Sequence, residues 1–143
     1  MITFVEEKVK SKLTNRRIIK NWIKKVAELY GFKLGDICYI FCDDEQILET
    51  NRQFLQHDYY TDIITFDYVE NNILSGDMFI SVDTVLSNSA LFNVSYIDEL
   101  HRVVIHGILH LCGLKDKSPE DEKKMRKAEN QALSILSSLL LEK

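Results

Sequence analysis

The sequence lacks the features that mark several large classes of protein. No apolar run approaches the ~20 residues that a membrane-spanning helix needs, and no apolar core typical of a signal peptide lies near the first residue. We therefore expect a cytoplasmic protein without a membrane partner. The chain contains a single proline, no internal repeat and no low-complexity tract. Its 143 residues, of which 45% are hydrophobic and 28% charged, predict one domain spanning residues 1–143.

An excess of positive charge is also absent. Lysine and arginine together number 18 against 22 acidic residues, which gives a formal net charge of −4. The chain as a whole therefore lacks the basic surface that is typical of nucleic-acid-binding proteins. An RNA partner would have to bind a local basic surface or a metal ion.

Cysteine is scarce, and its number is odd. Cys38, Cys42 and Cys112 stand at apolar positions of predicted strands or helices. We expect them to be reduced thiols rather than a disulfide framework. A metal site built on Cys38 and Cys42 is the weaker alternative, because no histidine lies near them in the sequence.

Hydrophobic periodicity predicts an α+β fold in which helices pack against a small mixed sheet. Strands are predicted at residues 2–5, 36–42, 62–69 and 76–82, and turn residues at 70–72 predict that the last two strands form an antiparallel hairpin. Helices are predicted at residues 15–30, 43–55, 83–92 and 118–141. A further helix is predicted to begin at residue 95 and to include residues 106 and 110. Thr14, Asp83 and Ser95 are predicted N-caps, and residues 54–61 are predicted to form a polar-aromatic loop.

The most informative stretch runs from residue 106 to residue 116. His106 and His110 are four residues apart, so that both imidazoles lie on one face of a helix and can reach one metal ion. Gly113 is predicted to end that helix, because glycine adopts the left-handed conformation without strain. The turned chain could then carry the carboxylate of Asp116 back toward the histidines. Two nitrogens and one oxygen form a catalytic zinc set with a position open for water.

The alternative for each of these residues is a purely structural role. A single buried histidine is more often a hydrogen-bonded core residue than a ligand, but a pair at this spacing, followed by glycine and a carboxylate, favours a metal site. Asp116 lies between two lysines and could belong to a solvated turn. His101 should face elsewhere on the helix and be structural. Gly107 occupies the position of the metalloprotease acid, which disfavours a peptidase.

These residues resemble the YbeY family of bacterial endoribonucleases and rRNA maturation factors. The stretch His106-Gly-Ile-Leu-His110-Leu-Cys-Gly113 is similar to the signature of that family. The resemblance extends in the same order from about residue 51 to residue 129. It includes Tyr60-Thr61-Asp62-Ile63-Ile64-Thr65-Phe66, Gly76-Asp77 with the following strand, and Glu120, Met125 and Glu129 in the last helix.

The resemblance implies an α+β, zincin-like fold with one zinc ion per chain. It implies single-strand-specific cleavage of RNA in the maturation of the 3′ end of 16S rRNA and in ribosome quality control. The implied partners are rRNA and the ribosome or its small subunit, and small-subunit proteins or an assembly GTPase are further candidates.

Two positions depart from the family pattern. Asp116 stands where the family has a third histidine, and an aspartate oxygen binds zinc at about the same distance as a histidine nitrogen. Its negative charge should make a zinc-bound water less acidic. Leu55 stands where the family carries an arginine linked to RNA cleavage, and Arg52 or His57 could supply that charge from nearby.

The sequence leaves the catalytic residues and the attacking group open. With His106, His110 and Asp116 holding zinc, either a metal-bound hydroxide or the 2′-hydroxyl of the RNA could attack the phosphate. Asp62 and Asp77 could orient a histidine, or could only cap strands. Two other functions stay open: a non-catalytic ribosome assembly factor with a structural metal, and a hydrolase that acts on something other than RNA.

Overall fold

A mixed β-sheet lies at the centre of the fold. The computed structural model describes residues 1–55 and 61–142, and within these ranges four strands form one sheet in the order β1-β2-β4-β3. Neighbouring strands are parallel from β1 to β2 and from β2 to β4, whereas β3 is antiparallel to β4. The strands are β1 (Ile2–Glu6), β2 (Lys33–Cys42), β3 (Ile63–Asp67) and β4 (Ile73–Ser81).

Five α-helices lie in the same described ranges, and the second continues into a π-helical segment, Asn51–Leu55. The helices are α1 (Arg16–Leu29), α2 (Asp44–Thr50), α3 (Val82–Leu91), α4 (Tyr96–Leu111) and α5 (Pro119–Leu141). The predicted α+β class with a small mixed sheet is therefore confirmed. None of the helices described is both long and apolar enough to span a lipid bilayer.

The helix starts agree with the sequence at α4 and differ at two other helices. The Ser95 side chain accepts the backbone N–H of Asp98, as predicted for an N-cap. The cap of α1 is Asn15 rather than Thr14, because Asn15 takes the left-handed conformation at φ 55°. The cap of α3 is Ser81 rather than Asp83: the Ser81 hydroxyl accepts from Thr84, and Asp83 lies in the first turn.

The predicted hairpin of β3 and β4 is confirmed. Glu70 and Ile73 form a backbone bridge around a two-residue loop. Asn71 and Asn72 in that loop have positive φ angles of 54° and 61°. Two consecutive left-handed residues match the turn whose twist suits a two-stranded ribbon, and asparagine tolerates this conformation well.

The main core lies between one face of the sheet and helices α1, α4 and α5. Its buried polar atoms have partners, since Trp22 Nε1 donates to the Ala132 carbonyl at 2.7 Å and the Tyr39 hydroxyl donates to the Val104 carbonyl at 2.8 Å. These two bonds join α1 to α5 and β2 to α4. The second bond anchors α4, which carries the histidine pair, to the sheet.

A smaller apolar cluster covers part of the other sheet face. Ile47 of α2 packs there with Cys42 and Ile64, and Phe66 and Phe79 border the cluster. Burial raises the pKa of the Cys42 thiol to about 12. All three cysteines carry free thiols.

Candidate metal centre

The end of α4 brings the predicted carboxylate back to the first histidine. Gly113 has a φ of 103°, and its N–H and that of Leu114 bond to the carbonyls of His110 and Leu109. This closure confirms the predicted glycine stop and reverses the chain. Asp116 consequently lies beside His106, with 3.3 Å between Oδ2 and Nε2.

His106, His110 and Asp116 line one cavity of about 230 Å³, together with residues that flank or belong to β3. Their donor chemistry suits zinc, since two imidazole nitrogens and a carboxylate oxygen form a catalytic zinc set. Among residues 1–55 and 61–142, no three histidine, cysteine or acidic side chains stand close enough together to hold a metal ion as they are arranged. The three-ligand set therefore stays a prediction.

A carboxylate from the last helix holds the other nitrogen of His106. Glu129 Oε2 lies 2.7 Å from His106 Nδ1. The second oxygen, Oε1, accepts a hydrogen bond of 2.8 Å from Arg102 Nη1. The other terminal nitrogen of Arg102 donates to Asn130 Oδ1 at 2.9 Å. Glu129 is predicted from the sequence only as part of the family resemblance, without a role, although an acid on the buried face of α5 is a usable signal.

These contacts set the charges of the pair. Burial alone would lower the pKa of His106, but its hydrogen bond to Glu129 and the charges of Glu129, Asp62 and Asp116 raise it above the usual value. Burial alone would raise the pKa of Glu129, but hydrogen bonds from His106 and Arg102 lower it. The lowered pKa of Glu129 favours its ionised form, which can only accept a hydrogen bond, so that the short contact favours a proton on His106 Nδ1.

Asp62 and Asp77, the two strand aspartates, lie in different places. Asp62 precedes β3 and lines the cavity, and burial raises its pKa against the opposing effect of His106. Asp77 lies on the opposite face of the sheet, because the adjacent Met78 faces α4 and successive strand residues alternate. Asp77 contacts the Tyr68 hydroxyl at 3.4 Å. The interpretation that Asp77 orients a histidine is therefore wrong.

Gly107 explains why the metalloprotease acid is missing from this helix. A Cβ atom at this position would overlap the Met78 sulfur and lie 3.0 Å from Ile63 Cδ1. Position 107 thus faces the sheet, where α4 approaches β3 and β4 closely. A carboxylate here would be buried in the core instead of reaching the cavity.

The other candidate residues are spread around the site. Leu55, in the position of the family arginine, lines the cavity and is 38% exposed. Arg52 lies exposed in the π-helical segment. His57 and most of the predicted loop at 54–61 lie outside the described residues. His101 packs edge-on against Trp22, with 6.2 Å between ring centroids, as expected for a structural histidine.

A larger cavity of about 740 Å³ adjoins the first and shares Asp62, His106 and Asp116 with it. It extends along α4 and α5. Its lining includes the exposed aromatic ring of Phe92 and three basic side chains of α5, Lys123, Arg126 and Lys127. The two cavities together could accept an extended polymer next to the candidate ligands.

Comparison with known proteins agrees with this arrangement. The model of a protein family described as Endoribonuclease YbeY matches residues 1–137. A protein named Endoribonuclease YbeY from Parabacteroides distasonis is 57% identical over 135 residues, which cover 94% of this chain and 95% of the relative. A protein of the same name from Bacteroides thetaiotaomicron is 58% identical over 134 residues, covering 94% and 98%.

A solved structure is similar as well. The solution structure of a Thermotoga maritima protein matches with a TM-score of 0.65 and 27% sequence identity, covering 96% of this chain and 93% of that one. The chain belongs to the endoribonuclease YbeY family.

Proposed function

We propose that this protein is a zinc-dependent, single-strand-specific endoribonuclease of the cytoplasm, acting in 16S rRNA 3′-end maturation and ribosome quality control. The observation that carries the proposal is the cavity shared by His106, His110 and Asp116. The family and the printed name of its relatives support an RNA-cleaving hydrolase. rRNA and the small ribosomal subunit are the proposed partners, with small-subunit proteins or an assembly GTPase as further candidates.

In this proposal His106, His110 and Asp116 hold one zinc ion. Zinc supplies a Lewis acid that offsets the charge developing on the scissile phosphate and acidifies water. Glu129 contacts Nδ1 of His106, so that Nε2 is the ring nitrogen next to Asp116. Asp62 is a carboxylate with a raised pKa that lines both cavities, which suits it to accept a proton from an attacking hydroxyl group.

The test is cleavage of an RNA fragment that spans the 3′ end of small-subunit rRNA. Wild type is compared with His110→Ala and with Lys115→Ala, an exposed neighbour that serves as a matched control. We expect cleavage by wild type and Lys115→Ala and none by His110→Ala. Equal cleavage by all three would place the activity outside this site or in a contaminant. A cyclic phosphate on the product would identify attack by the 2′-hydroxyl, whereas only 5′-phosphate products would exclude it.

Asp116 needs its own measurement, because it is the ligand that departs from the family pattern. We expect Asp116→Ala to bind zinc more weakly than wild type in competition with a chromogenic chelator, since one of three donors is lost. Unchanged affinity would show that the third ligand lies elsewhere. Lys115→Ala is again the control.

A second function is favoured by one observation, the presence of Leu55 at the cavity in place of the family arginine. A protein that lost this charge could serve as a ribosome assembly factor with a structural metal. Such a protein would bind zinc and the small subunit without cleaving RNA. Wild-type protein that is loaded with zinc and leaves the rRNA fragment intact would support this function over the nuclease.

A further inference from the structure

The contacts of Glu129 divide its two oxygens between two partners. Oε1 accepts from Arg102 at 2.8 Å, and Oε2 lies 2.7 Å from His106 Nδ1. Arg126 is the more distant cation, with 3.7 Å between its Nη1 and Oε1. Each oxygen therefore has a short contact with a different residue of α4, and these two residues lie about one turn apart on that helix.

Glu129 is a buried carboxylate, and its burial has a free-energy cost. Its side chain is only 6% exposed, and it lies on the apolar face of α5 between Met125 and Ala132. A buried carboxylate destabilises the fold unless its partners compensate the lost hydration. A pair with Arg102 alone would use only one oxygen of the carboxylate. The short contact between the second oxygen and His106 therefore needs a separate explanation.

We propose that Glu129 is a positioning residue for His106. Its Oε2 fixes the ring orientation and the Nδ1–H tautomer, so that the lone pair of Nε2 faces the cavity. Arg102 positions Glu129 in turn by occupying Oε1. The inference rests on the proposed function, because it assigns Glu129 to the zinc site, but it can be tested without RNA.

A single substitution should invert the tautomer. In Glu129→Gln, Arg102 still requires an acceptor, so the amide oxygen faces Arg102 and the amide NH₂ group faces His106. Nδ1 must then accept a hydrogen bond, and the ring proton moves to Nε2, where it blocks metal binding. Nitrogen NMR of the metal-free protein at alkaline pH, where the imidazole is neutral, distinguishes the two tautomers.

We expect Nδ1–H in wild type and Nε2–H in Glu129→Gln, with zinc affinity lowered by about 10–100-fold in a chelator competition. Glu120→Gln is the matched control, since it removes the same charge from an exposed site on the same helix that lines neither cavity. Combining Glu129→Gln with Arg102→Leu frees the amide to turn its oxygen toward His106. That double variant should recover Nδ1–H and part of the affinity, which loss of packing alone would not predict.

The inference is overturned if Glu129→Gln keeps both the Nδ1–H tautomer and the wild-type zinc affinity. Should that variant not fold, Glu129→Asp retains the charge on a side chain that is one methylene shorter and cannot keep the 2.7 Å contact with His106 Nδ1, and it should lose zinc affinity in the same way. Wild-type affinity in a folded Glu129→Asp would equally refute the assignment. Cleavage by wild type is measured separately, so that failure of the nuclease proposal is distinguishable from failure of this one.

Discussion

Position 107 provides a sharp test of how α4 packs against the sheet. An added methyl group would overlap the Met78 sulfur and come within 3.0 Å of Ile63 Cδ1. Met78 is completely buried, so that its flexible side chain can give way only by repacking against other core residues. We therefore expect Gly107→Ala to destabilise the protein, although alanine is the better helix former.

The expected magnitude follows from two opposing contributions. Replacing glycine by alanine inside a helix contributes about 1 kcal/mol of stability. Forcing an extra methyl group into a packed core costs about 1–3 kcal/mol. The free energy of unfolding should thus fall by as much as about 2 kcal/mol, and each 1 kcal/mol lowers the Tm of a protein of this size by about 2–4 °C.

A double-mutant cycle with Met78 identifies the contact responsible. Met78→Ala alone leaves a cavity and should cost about 2–5 kcal/mol. In the Gly107→Ala background the new methyl group fills part of that cavity, and removal of the sulfur relieves the overlap. The combined loss should therefore be smaller than the sum of the two single losses by at least about 1 kcal/mol.

The measurement is equilibrium unfolding in denaturant, with the slope checked to be the same in all four proteins. Losses that add to within about 0.5 kcal/mol would show that residues 107 and 78 are not in contact. A Gly107→Ala protein that gains the full helix-propensity contribution would refute the reasoning as well. Either result would mean that the acid of metalloproteases is absent here for a reason other than packing.

Three further predictions concern other buried groups. Burial, followed by the charge of Asp62, raises the pKa of Glu99 above its ordinary value. Ionisation of Glu99 therefore costs stability as the pH rises, so that Glu99→Gln should leave the free energy of unfolding unchanged in acid, where the carboxyl group is protonated, and raise it at pH 7. The measurement is denaturant unfolding at both pH values. Cys42 is fully buried with a pKa of about 12, and mass spectrometry should show that it is alkylated after Cys38 and only when the protein unfolds. Trp22→Phe removes the 2.7 Å bond to the Ala132 carbonyl and should lower the free energy of unfolding by at least about 1–3 kcal/mol.

The elements of the fold and the β3–β4 hairpin followed from local signals, whereas the parallel pairing of β1, β2 and β4 did not. Ser95 and Ser118 preceded acidic residues and apolar helical patterns, and both serve as N-caps. β2 begins at Lys33 rather than residue 36, because Lys33 and Leu34 already pair with β4 before the register shifts beside Gly35. A bulge of this kind depends on the neighbouring strand, as does the parallel pairing of β1, β2 and β4. Neither is readable from one strand alone.

The candidate site also combines features that one stretch of sequence predicts with a contact that only the folded chain creates. The spacing of His106 and His110 and the stop at Gly113 are properties of one helix and its end, and they place Asp116 within 3.3 Å of His106. Glu129 reaches the same histidine from 23 positions later in the chain. That contact is created by the packing of α5 on α4, which no local pattern encodes. The interpretation of Asp77 was wrong for a local reason, since strand alternation already separates it from Met78.

The charges at the cavity explain why a metal ion would govern access of RNA. The charge of Glu129 is compensated by Arg102, but Asp62 and Asp116 both present carboxylates to the space in which a phosphate would lie. The negative charges of these carboxylates would repel a phosphate strongly where water is partly excluded. Leu55 brings no cation to offset them. A divalent ion held by His106, His110 and Asp116 would cancel these two negative charges, so that we expect phosphate binding at this cavity to require metal occupancy.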